Sequence, residues 1–351
     1  MLLAALLVIV LLVLFLPVTW PVVEKNLEIF LMVMGIMAVS LSDSLGPERM
    51  WTAQLLVEAM KEPVKITLAV IVVGLLVHFF NKQLTRAIAR TEKVLGERWF
   101  GVVLIIVLGI LSSVITAIMA ALILCEVVLV LNYKRKFEII LVVLGCFSIG
   151  LGAALTPLGE PLSTIFISKL KGPPYNAGFF FLVQNYGYYL IGGVLAVGLT
   201  SLFFKPERFS RDGSLAPLKE ELNLKHVFLR GVKVYIFIAA LVFLGTGMKP
   251  VIEQYVVKLP AAALYWINSI SAIVDNATLT SAEIGPLLNI QQLHMALMGL
   301  LISGGMLIPG NIPNIISASR LKIGSKEWAR FGVPYGAALM VIFFLVLWLA
   351  A

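Results

Sequence analysis

Charge is scarce in this chain: only 13% of its 351 residues are Asp, Glu, Lys or Arg, with 19 acids against 27 bases. So few charges cannot clothe a water-soluble surface, and a disordered chain, a coiled coil and a collagen are excluded with it. Cysteine is scarcer still. Cys125 and Cys146 both sit inside apolar runs and match no C-x-x-C or zinc spacing, so a disulfide framework and a zinc site are excluded and both read as small core residues. A nucleotide loop, a catalytic triad and an H-E-x-x-H motif are missing too, so neither an ATP-driven pump nor an intramembrane metalloprotease is expected, nor an enzyme or a bound cofactor. What is abundant is apolar surface: 60% of the residues are hydrophobic and the mean hydropathy is +1.00. The expected partner is therefore the lipid bilayer, and the formal charge of +8 is a matter of sidedness rather than of nucleic-acid binding.

Eight segments suit a helix that crosses a bilayer: 2–16, 27–41, 64–80, 139–170, 178–204, 227–246, 293–321 and 331–350. The first lacks the basic start and the cleavage site of a signal peptide and reads as a helix. Two further segments break the rule. Residues 100–131 are too long for one crossing and too short for two, and residues 258–290 are interrupted by Ser271, Asp275, Asn276, Thr278, Thr280 and Glu283. Basic residues gather on the cytoplasmic side of a membrane, which decides how both are drawn. Single crossings would split the 27 bases almost evenly. If both segments are re-entrant hairpins, only Arg49, Lys61, Lys65, Lys169, Lys171, Lys249 and Lys258 face outward and the other 20 of the 27 bases share one side. The predicted fold is an all-α polytopic membrane protein with about eight transmembrane helices plus two re-entrant hairpins. It lies in the cell membrane with both termini outside. Residues 81–99 mix bases with Leu84, Ile88, Val94 and Leu95 and predict an interfacial helix.

The chain repeats itself. Gly152-Ala153-Ala154-Leu155-Thr156-Pro157-Leu158-Gly159-Glu160-Pro161 and Gly304-Gly305-Met306-Leu307-Ile308-Pro309-Gly310-Asn311-Ile312-Pro313 align without gaps as G-[AG]-x-L-x-P-x-x-x-P. Ser168-Lys169-Leu170-Lys171 and Ser319-Arg320-Leu321-Lys322 end the two copies alike. The organisation expected is a two-helix extension at 1–63, a first repeat at 64–204 (helix, hairpin, Pro-broken helix, helix), a basic cytoplasmic linker at 205–226, and a second repeat at 227–351. Three crossings per repeat is an odd number, so the second copy is inverted.

Two prolines four apart cannot sit inside a continuous helix. Backbone unpaired at that depth must be buried in protein or line a cavity, where its carbonyls and half-helix ends serve as ion ligands. Thr156, Glu160, Ser163, Asn311 and Asn314 cluster at the breaks. Asp275 falls near the tip of the second hairpin, where a carboxyl costs roughly 2.5 to 3.5 kcal/mol on insertion scales. With Asn276 and Thr278 it offers an oxygen shell for a hard cation such as sodium; as a compatible alternative it caps the returning arm. Glu160 binds a cation or carries a proton, or else caps the half-helix that starts at Pro161. Asp275, Asn276 and Glu160 are thus the candidate sodium ligands. At the first tip, Ser112, Ser113 and Thr116 can ligate but not titrate. Glu126 and Glu283 read as paired or snorkelling acids ahead of proton relays, His78 and His294 as interfacial hydrogen-bonders, and Gln184 and Asn185 as links between helices.

Ser271-Ala272-Ile273-Val274-Asp275-Asn276-Ala277-Thr278-Leu279-Thr280 looks like the Asp-Asn hairpin motif of a known group of transporters. Gly152 to Glu160 resembles the Gly-Gly-x-x-Ser/Thr-Pro-x-Gly-Asp motif of the same group, and Gly304-Gly305-Met306-Leu307 its counterpart in the second repeat. On these residues the sequence resembles the ion transporter superfamily, within it the NhaD-type sodium/proton antiporters and related predicted cation transporters. The resemblance implies inverted repeats, hairpin tips that meet broken helices, and homodimers in which a transport domain shifts against a scaffold. The sequence departs from that pattern in three ways: Glu replaces Asp at position 160, the first hairpin has no Asn-Thr or Asp-Asn tip, and the chain is shorter than most relatives. The Ser-Asn-Thr signature of dicarboxylate carriers is absent, as is a midplane arginine for an organic anion. The function expected is a secondary active cation/proton antiporter, sodium being the cation, working by alternating access. The alternatives are a carrier of a small carboxylate or oxyanion with the same fold, held by half-helix N-termini, and an integral-membrane scaffold or enzyme with a buried polar cleft.

Overall fold

The computed structural model describes residues 2–20, 22–23, 26–207, 224–254, 258–272 and 276–350. Among them there is no strand: apolar runs in lipid satisfy every backbone group inside a helix. The first half of the chain forms α1 (Leu2–Thr19), α2 (Leu27–Leu45), α3 (Ala53–Ile115), α4 (Ala117–Leu131), α5 (Arg135–Ala153), α6 (Pro161–Lys169) and α7 (Phe181–Thr200). The second half forms α8 (Leu224–Gly247), α9 (Lys249–Gln254), α10 (Ala261–Ile267), α11 (Asn276–Glu283), α12 (Ile290–Gly304), α13 (Ile312–Leu321) and α14 (Ser325–Leu349). Among the described residues five helices are long and apolar enough to cross a membrane, within Glu28–Leu45, Val94–Ile115, Arg135–Ala153, Phe181–Phe203 and Ser325–Leu349. The protein is therefore an all-α membrane protein.

The predicted separation of a span at 64–80 from an interfacial helix at 81–99 is corrected. α3 starts earlier, capped by Thr52, whose hydroxyl accepts from Leu55 N (3.1 Å), and consists of two helical stretches, 53–95 and 97–115, that meet at a kink. Its non-helical residue is Gly96 (φ 72°, ψ 161°), a conformation that a side chain disfavours.

Residues 97–115 of α3 lie beside α5 and run the same way. Gly101 lies against Leu141, Ser148 Oγ donates to Ile105 O (2.9 Å) and Ser112 Oγ to Ile149 O (3.0 Å). The chain turns at Thr116 and α4 comes back, with Leu124 packed on Gly145. Both outer ends of this pair therefore lie beside the start of α5. Lys134 N donates to Glu207 O there (2.7 Å), and the Arg135 guanidinium holds Leu321 O, Lys322 O and the Glu327 carboxylate. The second half repeats the pattern: Gln292 Nε2 donates to Leu259 O (2.8 Å), Asn268 Nδ2 to Ala296 O (3.3 Å) and Ser271 Oγ to Leu300 O (3.3 Å), and α11 returns.

Two regions result. α5 is central, with 89% of its span buried, whereas α14 has 33% buried and turns Val341, Ile342, Leu345 and Val346 outward. Joined to the same hydrophobic core, α2, α8 and the first part of α3 pack together as a bundle at its side. Lys233 pairs with Glu28 (2.8 Å) and Ser42 Oγ bonds Gly247 O (2.7 Å), so α2 and α8 run parallel, while Tyr235 OH reaches Met60 O (2.9 Å) on the antiparallel α3.

Candidate functional site

The two broken helices are built alike. α5 ends at Ala153 and α6 starts after Glu160 (φ −152°, ψ 160°); α12 ends at Gly304 and α13 starts after Asn311 (φ −152°, ψ 146°). Ser163 Oγ reaches back to Ala153 O (3.5 Å), and Asn314 Nδ2 reaches back to Gly304 O (2.8 Å). Gly159 and Gly310 each pass so close to the last helical residue that a Cβ would meet the Ala153 or Gly304 carbonyl oxygen. The equivalent pairs are therefore Ala153 with Gly304, Gly159 with Gly310, Glu160 with Asn311 and Ser163 with Asn314. This moves the gap-free sequence alignment by one residue at the breaks. The proline spacing misled there, because Pro161 opens α6 whereas Pro313 is the second residue of α13. The matching ends, Lys169 and Arg320, already stand in the corrected register.

The breaks meet the turns of the two arm pairs. At the first, Ala117 N donates to Gly159 O (2.7 Å) and Thr156 Oγ1 donates to Ser113 O. Thr116 sits at φ 76°, ψ 150°, a region that costs a β-branched residue about 1 to 3 kcal/mol and persists only where its surroundings enforce it. Its hydroxyl caps α4 by accepting from Met119 N (3.4 Å). At the second, Gly310 lies against Ser271 O and Ala272 O, and the Asn276 amide borders Gly304. Asn311 Nδ2 lies against Gly150 of α5, so the second break touches the first broken helix. α13 also crosses α5 where Cys146 Sγ meets Ser317 Oγ (3.3 Å), and both cysteines are buried core residues.

The half-helices start level with the returning arms. Arg320, in the last turn of α13, pairs with Glu126 of α4 (2.7 Å). At a rise of about 1.5 Å per residue, the starts of α4 and α13 lie side by side. α6 packs on α11. Four helix N-termini thus converge at the breaks, each with its positive dipole end inward. Glu160 (5% exposed), Asn276 (2%) and Asn311 (2%) are buried there. Glu160 and Asn311 occupy the N-cap positions of α6 and α13 and make no side-chain cap hydrogen bond there.

Several predicted ligands spend their hydrogen-bonding groups on the architecture. Ser112 bonds Gly109 O (2.6 Å) as well as Ile149 O, and Ser113 bonds Ile110 O (2.7 Å). Asn314 Nδ2 also holds Leu307 O (2.8 Å), while its Oδ1 has no hydrogen-bond partner among the described residues. Asp275 lies outside the described residues, as do the side chains of Thr278 and His78. Sequence reasoning passed over Thr164, which ties α6 to Pro157 O (2.5 Å), and Asn268. Asn268 is a lone amide in an apolar arm, three residues before Ser271, and that spacing was the available signal.

Glu126 is paired, as its predicted reading required. Arg320→Ala should cost about 2 kcal/mol in detergent, since it strands a half-buried carboxylate, and the double variant with Glu126→Gln should recover most of it. Thermal unfolding of the two variants measures both effects.

Fold and site together define a membrane-embedded helical protein with two broken helices related by internal repetition. The chain belongs to the family described as protein of unknown function (DUF1646), whose model matches residues 3–350. No curated protein matches it.

Proposed function

We propose that the protein is a secondary active transporter that exchanges a small cation, sodium first, for protons by alternating access. The observation that carries this reading is the convergence of the two equivalent breaks with Glu160, Asn276 and Asn311 buried between them. Buried carboxylate and amide oxygens beside unwound backbone suit a partly dehydrated cation, and a carboxyl can exchange it for a proton. Break carbonyls that already accept one bond keep a second lone pair for such an ion. In this reading the two arm pairs are re-entrant hairpins in a fold of about eight crossings. Asp275 joins Glu160 and Asn276 as a ligand, and the ends of the molecule near Lys134 and Lys322 face the cytoplasm of the cell membrane. The bundle of α2, α8 and the first part of α3 is the scaffold through which two copies pair, and the core around α5 moves against it. The resemblance to NhaD-type antiporters supports the same assignment.

The test is transport by purified protein in liposomes that contain a pH-sensitive dye. A sodium pulse is expected to collapse an imposed pH gradient at a rate that saturates with sodium. If no cation moves protons and a labelled small carboxylate enters instead, the anion-carrier alternative replaces this reading.

A further inference from the structure

An acid on the second arm pair stands apart from the proposed cation site. Glu283 ends α11, seven residues beyond Asn276 and so roughly 10 Å along the helix from the break. Unlike Glu126, it has no ion pair among the described residues. Facing it on the opposite arm is Asn268, 0% exposed and held on both sides: Nδ2 donates to Ala296 O (3.3 Å) and the backbone oxygen accepts from Ser303 Oγ (2.6 Å). The Asn268 side chain lies within hydrogen-bonding reach of the Glu283 carboxyl. Two buried oxygens are then left over, Glu283 Oε2 and Asn268 Oδ1, and neither has a partner among the described residues. Both are acceptors, and what they lack is a donor.

Charged and titratable groups stand on each neighbouring element, and no ion pair to Glu283 is formed by any of them among the described residues. Lys169 of α6 lies where α6, α8 and α11 meet, its Nζ against Gly245 and beside Ser281 O. Lys233 of α8 pairs with Glu28, and Lys249 of α9 with Glu48. Tyr265 of α10 donates to Met340 O (2.7 Å), and His294 of α12 stacks edge-on against Tyr186 and Tyr189. Among the described residues no cationic side chain forms an ion pair with Glu283. A metal ion would need several oxygens beyond these two. A single proton on Oε2 supplies the missing donor, because a carboxylic acid and a primary amide are complementary, each giving one N–H or O–H and accepting at one oxygen.

We propose that Glu283 and Asn268 form a carboxylic acid–amide site that holds a proton at the outer end of α11, away from the breaks. The site depends on the fold and not on sodium being the transported ion. Infrared difference spectroscopy of the purified protein at neutral pH tests it. A carboxylic-acid C=O band is expected in the wild type, lost in Glu283→Gln and moved to higher frequency in Asn268→Leu, where the amide partner is gone. Glu283→Gln, which mimics the protonated form, should also keep the wild-type unfolding temperature. A spectrum in which Glu283→Gln removes a carboxylate band and leaves the acid region unchanged would overturn the proposal. A wild-type protein that shows the acid band but moves no cation would count against the antiporter reading alone.

Discussion

Glu160→Gln is expected to lower sodium-dependent proton flux in liposomes by roughly 100-fold or more, equivalent to about 2.7 kcal/mol. The side chain is 5% exposed, sits at the start of α6 and makes no cap bond, so the amide replaces it in shape while removing its charge. A unit charge about 4 Å from a cation is worth about 4 kcal/mol at an effective dielectric of about 20, which leaves ample room for the loss. Glu160→Asp should retain part of the flux, since it keeps the charge and shortens the reach. Asp275→Asn should match Glu160→Gln, because the proposed site has both carboxylates serve one ion. Full flux from Glu160→Gln in sealed liposomes would remove this residue from the site.

The largest structural effect is expected from Gly159→Ala. A Cβ there meets the oxygen, carbon and Cα of Ala153, all backbone atoms that no side-chain rotation can move away. Opening the break by the required amount should cost about 3 kcal/mol, at the upper end of overpacking penalties. It also strains the bond from Ala117 N to Gly159 O that ties the first turn to the first break. Gly172→Ala is the control, since a Cβ there meets nothing. Unfolding in detergent should separate the two variants clearly, and an unchanged midpoint for Gly159→Ala would mean that the break is not packed as described.

Much of this architecture could be read from residue type alone. The prolines at 157, 161, 309 and 313 forced both helices to break, because a missing donor and a ring clash act wherever the helix is placed. The chain doubles back after Ile115, as the contacts of Gly101 with Leu141 and of Leu124 with Gly145 show, while the sidedness drawn from the split of bases belongs to the proposal. Boundaries were less legible. α3 absorbs the segment predicted as a separate interfacial helix because helical hydrogen bonding continues past 80 whatever the side chains face, and the one interruption depends on Gly96 having no Cβ.

The site was legible as a set of positions and obscure in its roles. Ser112, Ser113 and Asn314 were recognised as polar groups in apolar surroundings, yet they hold carbonyls of the breaks and arms, a use that depends on which backbone lies opposite. Glu126 and Glu283 looked interchangeable in sequence. Only packing separates them, by placing Arg320 against one and Asn268 against the other. The one-residue register error arose because proline is tolerated at both the first and second positions of a helix, so its spacing did not fix the start.

The central claim is that each repeat turns its chain back within the bilayer, so that a shared polar centre forms between the turns. Labelling with a membrane-impermeant thiol reagent in sealed, oriented vesicles tests it most directly, using Arg98→Cys and Lys134→Cys one at a time. Cys125 and Cys146 are buried and should not compete for the reagent. Both new cysteines should react from the same side, and from the side that labels Lys322→Cys. Reaction of Arg98→Cys and Lys134→Cys from opposite sides would contradict the account, since residues 100–131 would then cross the membrane and leave no turn to meet the break at Gly159.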